Sequence, residues 1–339
     1  MLEEFQLLDL KHFQFEQIRI DSQALKNNPL GDPNVRINPI MVPKNFDDKK
    51  LGLVIVLAGF TGNGPKYLGP RTFEDNFAQL IDKLVAKKKA PKAVYLFVDA
   101  FSFWGGSQFI NSKAVGNYED YLVKELIPAV KKEFPIKEGR TLVMGGSSGG
   151  YGALHLSSKF PKQFPYCAAI APDSHFESCY VGDLQKASSF ILGKSYKELK
   201  ELHSAGKILS RRGDGHSILN AIGMTACYSP KTASQLNFPM DFKTGEIDKA
   251  VWRLWKKHDP VIFLNSRKNK VKNLKGIFIE VGVKDQFCLF FGARRMNQLL
   301  KSLKIKHHLS KKILILPKSD IISQNIAIAT SMIFKFYII

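Results

Sequence analysis

Acidic residues are scarce in this 339-residue chain: 30 aspartates and glutamates stand against 50 lysines and arginines, a net charge of +20. Such an excess raises the question of a polyanionic partner. The lysines, however, come in short scattered runs, such as those at 87–89, 131–132, 256–257 and 311–312. There is no long basic arm with interleaved aromatics, so the charge reads as solvated lysine-rich faces and no specific nucleic-acid partner is expected. Cysteine is scarcer still. The four present, Cys167, Cys179, Cys227 and Cys288, form no CxxC pair, which excludes a zinc ribbon and a disulfide framework. A GxxxxGK[ST] phosphate loop is missing, as are internal repeats. The N-terminus carries Glu3 and Glu4, with neither a basic n-region nor an unbroken apolar core. No signal peptide is therefore expected, and a cytoplasmic location is. The most apolar stretch, 321–339, is interrupted by Ser323, Gln324, Asn325, Thr330, Ser331 and Lys335. It reads as a final helix packing on the fold rather than a membrane span.

What is present is an ordinary globular composition, 45% apolar and 24% charged, in a chain long enough to bury a large core. Short apolar runs at 53–57, 93–98, 141–144, 168–171 and 276–281 predict buried strands. Helical spacing of apolar residues predicts helices over 73–88, 120–132 and 293–303, and a further helix starts at Gly152. Strand–helix alternation of this kind predicts an α/β fold with a mostly parallel central sheet flanked by helices. From about 174 to 272 the alternation stops. That helix- and loop-rich stretch reads as a cap-like insertion within a single domain, over the carboxyl ends of the strands where ligands bind in open α/β sheets. The segment 310–339 stands apart as an atypical tail.

Residues 141–154 read TLVMGGSSGGYGAL: an apolar strand, then G-x-S-x-G, then a helix of small residues. This is the nucleophile-elbow pattern in its required setting. The turn is so tight that the residues two before and two after the serine must be small. The serine Oγ then stands above the sheet, and the next N–H points at a substrate oxygen. Two registers fit, Ser147 between Gly145 and Gly149, and Ser148 between Gly146 and Gly150. Because the strand ends at Met144, the earlier serine, Ser147, is expected to be the nucleophile. The bland alternative is a glycine-rich loop that holds an anion at a helix N-terminus.

Residues 57–64, LAGFTGNG, follow a buried strand, where such a loop supplies the second oxyanion N–H. Phe60 is the expected donor, with Thr61 as the alternative, and the N–H of Ser148 completes the pair. Asp285 follows a late strand, the place of the acid in the order Ser…Asp…His. It would orient and charge-stabilise an imidazolium. A helix cap or a surface carboxylate is the structural alternative.

Taken in order, NPLGDPNVR (28–36), LAGFTGNG (57–64), GGSQFINSKAVGNYEDYLVKELIP (105–128), GGSSGGYGAL (145–154), ACYSP (226–230) and VGVKDQF (281–287) resemble the putative esterase family of α/β hydrolases, the group of esterase D and of enterochelin and feruloyl esterases. The resemblance implies an α/β-hydrolase fold, Ser147 as nucleophile, Asp285 as acid and Phe60 in the oxyanion loop. It also implies a small-molecule ester substrate and no metal or organic cofactor, and it is compatible with a homo-oligomer. It fails at the third member of the triad. Where a Gly-His pair is expected the chain reads Pro317-Lys318, and no histidine follows His308. Lys318 is a poor base, since Asp285 beside it would keep its ammonium protonated. His307 reads as structural and His308 as facing away from the site. His175 and His216, in the insertion, could line the pocket, whereas His12, His155, His203 and His258 read as packing or surface residues. The sequence thus points to a serine carboxylic-ester hydrolase weakened by its missing histidine, or to a catalytically dead binding protein on the same fold.

Overall fold

The computed structural model describes residues 10–46, 50–70, 75–283 and 285–312. Lys318 and the tail beyond Lys312 lie outside these residues. Eight strands form the central sheet: β1 (Phe13–Asp21), β2 (Val35–Pro43), β3 (Leu51–Leu57), β4 (Val94–Phe97), β5 (Ile136–Gly146), β6 (Tyr166–Ile170), β7 (Gly276–Gly282) and β8 (His308–Lys312). Their spatial order is β1-β2-β4-β3-β5-β6-β7-β8. β2 runs antiparallel to both β1 and β4, and every other neighbouring pair is parallel. This is the mostly parallel sheet of an α/β hydrolase. β3, β4, β6 and β7 are buried along their whole length. That is why they read as unbroken apolar runs rather than alternating ones: helices cover both faces of a parallel sheet.

The longer helices among the described residues are α1 (Phe77–Ala86), α2 (118–133), α3 (Ser148–Lys159), α4 (Val181–Ile191), α5 (Tyr196–Ser204), α6 (Gly215–Tyr228), α7 (Lys249–Lys256), α8 (Pro260–Ser266) and α9 (Leu289–Ser302). α2 widens into a π-helical turn over Tyr121–Leu126. α1 starts on a capping box, in which Asn76 accepts from the Gln79 N–H and the Gln79 side chain accepts from the Asn76 N–H. α3 begins at Ser148, four residues before the start expected from its glycines. Gly149, Gly150 and Gly152 weaken helix propensity, but in this place they are demanded by packing. A Cβ on Gly152 would lie 2.3 Å from the Phe109 ring, so tertiary fit overrides propensity. β1 and β2 carry no clear strand signal. β2 holds Asn38 and Pro39 in its middle, yet Asn38 is fully buried.

Two buried clusters lie on the two faces of the sheet. The larger contains Trp104, Tyr118, Tyr151, Phe176 and Trp255; the smaller is built around Phe77, Tyr95 and Phe97 under α1. Between β6 and β7 the chain runs through α4 to α8. Of these, α6 is buried along nearly its whole length, and its Gly223 lies against Phe60 and Trp104. No helix among the described residues is long and apolar enough to cross a membrane.

Candidate active site

Register alone brings four loops together. Leu57 in β3 pairs with Gly145 in β5, Gly146 with Ile170 in β6, and Ile170 with Glu280 in β7. The chain leaves these four adjacent strands on the same edge of the sheet, their carboxyl ends. The loop after β3 carries Phe60, the turn after β5 carries Ser147, the loop after β6 carries Asp173, and the loop after β7 carries Asp285.

Ser147 sits between β5 and α3 at φ 54°, ψ −123°. A side chain reaches this backbone region only at a cost of about 1–3 kcal/mol, which surrounding packing must hold in place. The packing is visible in the two flanking glycines. A Cβ on Gly145 would lie 2.5 Å from the Leu57 carbonyl oxygen and 2.6 Å from the Gly149 carbonyl carbon, and one on Gly149 would lie 2.3 Å from the Leu57 oxygen. The Ser147 N–H donates to the Ile170 carbonyl at 2.9 Å, and its carbonyl accepts from the Tyr151 N–H at 2.9 Å. Ser148, by contrast, is the first residue of α3 and its side chain is buried.

The loop after β3 approaches this turn closely, with the ideal Cβ position of Gly59 3.6 Å from the Ser147 Cβ. The Thr61 N–H donates to the Gly105 carbonyl at 2.7 Å. The Phe60 N–H has no acceptor among the described residues, and the Ser148 N–H lies in the first turn of α3, where N–H groups lack intrahelical partners. The Phe60 ring is fixed by Gly106 and Gly223 and by an edge-to-face contact with His216 at 5.8 Å. Ala58, Gly59, Phe60, Gly106, Gln108 and Ser148 line a small cleft beside this turn.

Asp173 was not singled out by the sequence, and it lies at the centre. Its Oδ1 accepts from Ser147 Oγ at 3.0 Å. Its Oδ2 accepts from Ser148 Oγ at 2.7 Å and from the Tyr180 hydroxyl at 2.9 Å, with Gln108 Nε2 at 3.5 Å. The residue is buried, and burial raises its carboxyl above the usual range even though these donors favour the anion. One signal was available: Asp173 ends the run Ala168 to Pro172 just past a buried strand, the position where open α/β sheets place functional groups.

Asp285 is buried, and its Oδ1 accepts from the N–H groups of Phe287 at 2.9 Å and Leu289 at 3.1 Å, at the entry to α9. Burial raises its carboxyl, against those two bonds. Asp285 makes no hydrogen bond to Ser147. α9 links the two loops, since Gly292 lies directly against Ser174.

The histidines divide clearly. His216, exposed on the first turn of α6, stands between the rings of Phe60 and Phe287 at the mouth of the site. His175, two residues past Asp173, is engaged by Ser178 Oγ at 2.8 Å and by Arg295 at 3.2 Å. His307 bonds to the Ile305 carbonyl and to Asn297. His308 stacks on Phe278, its register partner, well short of the carboxyl end of β7. No described histidine is hydrogen-bonded to Ser147 or Asp285. Nor does any group of three His, Cys, Asp or Glu among the described residues form a candidate metal site.

The chain resembles solved structures of esterases over nearly its whole length. The fluorophosphonate-binding serine hydrolase F of Staphylococcus aureus matches at 13% identity with TM-score 0.58, covering 95% of this chain and 98% of that one. An S-formylglutathione hydrolase from Agrobacterium tumefaciens matches at 14% and 0.55, covering 97% and 98%. A ferulic acid esterase from Anaeromyces mucronatus matches at 12% and 0.53, covering 95% and 91%. At these identities the likeness establishes the fold. The family profile described as Putative esterase matches residues 34–314, well over half of the sequence, and the chain belongs to that family.

Proposed function

We propose that the protein hydrolyses small carboxylic esters through an acyl-enzyme on Ser147. The observation that carries this reading is the backbone of Ser147, held at φ 54° in a turn whose two glycines leave no room for a side chain. Such strain persists where it positions a reacting atom. In this mechanism Ser147 Oγ attacks the ester carbonyl carbon. The N–H groups of Phe60 and Ser148 receive the developing oxyanion, each without a competing acceptor among the described residues. Asp285 takes the acid position at the end of β7, where it would orient and charge-stabilise a basic group. The alcohol leaves, and water cleaves the acyl-serine. Membership of the Putative esterase family supports the reaction class.

The test uses the full chain and a fluorophosphonate probe. Labelling that disappears in Ser147→Ala and persists in Ser148→Ala is the expected result. Labelling that survives Ser147→Ala and is lost in Ser148→Ala would move the nucleophile by one residue. An unlabelled protein that also leaves p-nitrophenyl acetate intact would favour a binding role on the same fold.

A further inference from the structure

An attacking serine must hand its proton to something, and among the described residues Ser147 Oγ donates to one acceptor, the Asp173 carboxylate at 3.0 Å. We propose that Asp173 is a catalytic residue, the general base that takes the Ser147 proton and returns it to the leaving alcohol. This rests on the assignment of Ser147 as nucleophile.

The geometry supplies what a base needs. Asp173 is fixed by the fold on two sides. Its own N–H points to the Ser147 carbonyl at 3.4 Å, and the loop beyond it is held by Asp259, which accepts from the His175 and Phe176 N–H groups at 3.0 and 2.9 Å. The two carboxylate oxygens do different work. Oδ2 is occupied by Ser148 and Tyr180, which leaves Oδ1 aimed at the nucleophile. The titratable groups facing the carboxylate are Tyr151 from α3, Cys179 and Tyr180 from the turn before α4, and Tyr228 from α6. Each is pushed above its usual range, chiefly by burial, and stays neutral. Among the described residues the negative charge is therefore balanced by hydrogen bonds rather than by a cation. Burial raises the carboxyl above 3.8, which makes the anion a stronger base than an exposed aspartate.

The steps balance. As Ser147 Oγ bonds to the carbonyl carbon, its proton passes to Asp173 Oδ1. When the tetrahedral adduct collapses, the C–O bond to the alcohol breaks and the proton on Asp173 goes to the leaving alkoxide oxygen. In deacylation a water gives its proton to Asp173 as its oxygen attacks the acyl carbon, and Ser147 Oγ departs and takes that proton back. Ester and water go in, acid and alcohol come out, and Asp173 ends as it began.

The experiment measures the pH–rate profile for p-nitrophenyl acetate with the full chain. Asp173→Asn keeps the shape of the side chain but accepts no proton. It should lower kcat by about 10³-fold with KM little changed, the middle of the range a positioned base contributes, and the acid limb of the profile should vanish. Tyr180→Phe removes a donor that favours the anion, so the acid limb should move to higher pH, a shift that a purely structural Asp173 would not produce. Asp173→Asn at full activity would overturn the proposal, as would a lower rate with the limb unmoved, or a limb in Tyr180→Phe identical to that of the parent chain. If Asp173→Asn fails to fold by circular dichroism, the Tyr180→Phe limb decides alone. The serine assignment is read separately: fluorophosphonate labelling that persists in Ser147→Ala sinks that assignment whatever Asp173 does.

Discussion

Gly149 and Leu57 lie so close that the smallest added side chain has nowhere to go. A Cβ there would sit 2.3 Å from the Leu57 carbonyl oxygen, 2.8 Å from its carbon and 2.9 Å from the Ala58 oxygen. All three are backbone atoms of β3 and the loop after it, so no side-chain rotation relieves the clash. Gly149→Ala should therefore cost about 3 kcal/mol, the upper part of the usual overpacking range. It should also push the Phe60 loop away from Ser147. A urea titration should show the midpoint fall, and fluorophosphonate labelling of the fraction still folded should slow. An unchanged midpoint would mean that β3 shifts freely, against the tight fit seen here. The same contact explains why the tight turn at Ser147 was readable in the sequence: its constraints are local and steric, and they write glycine at fixed offsets from one serine. Asp173 left no such trace. Its partners lie at 108, 147, 148 and 180, and beyond its place after a buried strand nothing in Pro-Asp-Ser marks an aspartate that will be buried among them.

Elements meet through charged groups as well as apolar ones. α2 and α3 are joined by the buried Glu119, which accepts from His155 Nε2 at 2.6 Å and from Lys159 Nζ at 2.7 and 2.9 Å. Arg267 adds a bond to Ser158 Oγ at 3.0 Å. Burial would raise the Glu119 carboxyl, but the bonds from His155 and Lys159 outweigh it and hold the group at about 2. Burial lowers the His155 ring below 6.5. Both groups hold fewer protons folded than unfolded, so the stability they contribute is present near neutrality. It is lost as pH falls, first below 6.5 through His155 and then below 4.5 toward 2 through Glu119. Glu119→Gln should be less stable than the parent chain near neutral pH, with the gap closing as pH drops through the carboxylate range. Urea midpoints measured at several pH values check this, and a constant gap would contradict it. The strands and helices that form this framework were legible wherever apolar period and burial agree, as in β3, β4 and α9. β1 and β2 were not. Their pairing runs through Asn38 opposite Ile18 and Pro39 opposite Gln17, residues that argue against a strand until the rest of the sheet is in place to use them. Asn38 earns its burial by accepting from the Asp99 N–H and the Tyr121 hydroxyl.

For the molecule as a whole, the net charge of +20 has a measurable consequence separate from any chemistry at Ser147. Duplex DNA should bind weakly and without sequence preference, at roughly 1 µM or weaker near physiological salt, with affinity falling steeply as salt rises. Ser147→Ala should bind DNA as the parent chain does. Sub-micromolar binding at physiological salt would instead make a polyanion the main partner and displace the ester reading.

The sheet order also sets a schedule. Phe60, Ser147, Asp173 and Asp285 leave four strands that are side by side in space, yet more than two hundred residues separate the first of these side chains from the last. Every neighbouring pair among those strands is parallel, so none can be closed by a hairpin and each must wait for a long intervening stretch to collapse. During refolding, helix signal should return early. Reactivity of Ser147 toward a phosphonate should return last, because the turn is strained only once Leu57 presses on Gly149 and the loop from β6 arrives to meet it. If Ser147 is the nucleophile proposed above, it would serve as a built-in clock for the final docking event, silent in every partly assembled form and switched on by completion of the sheet.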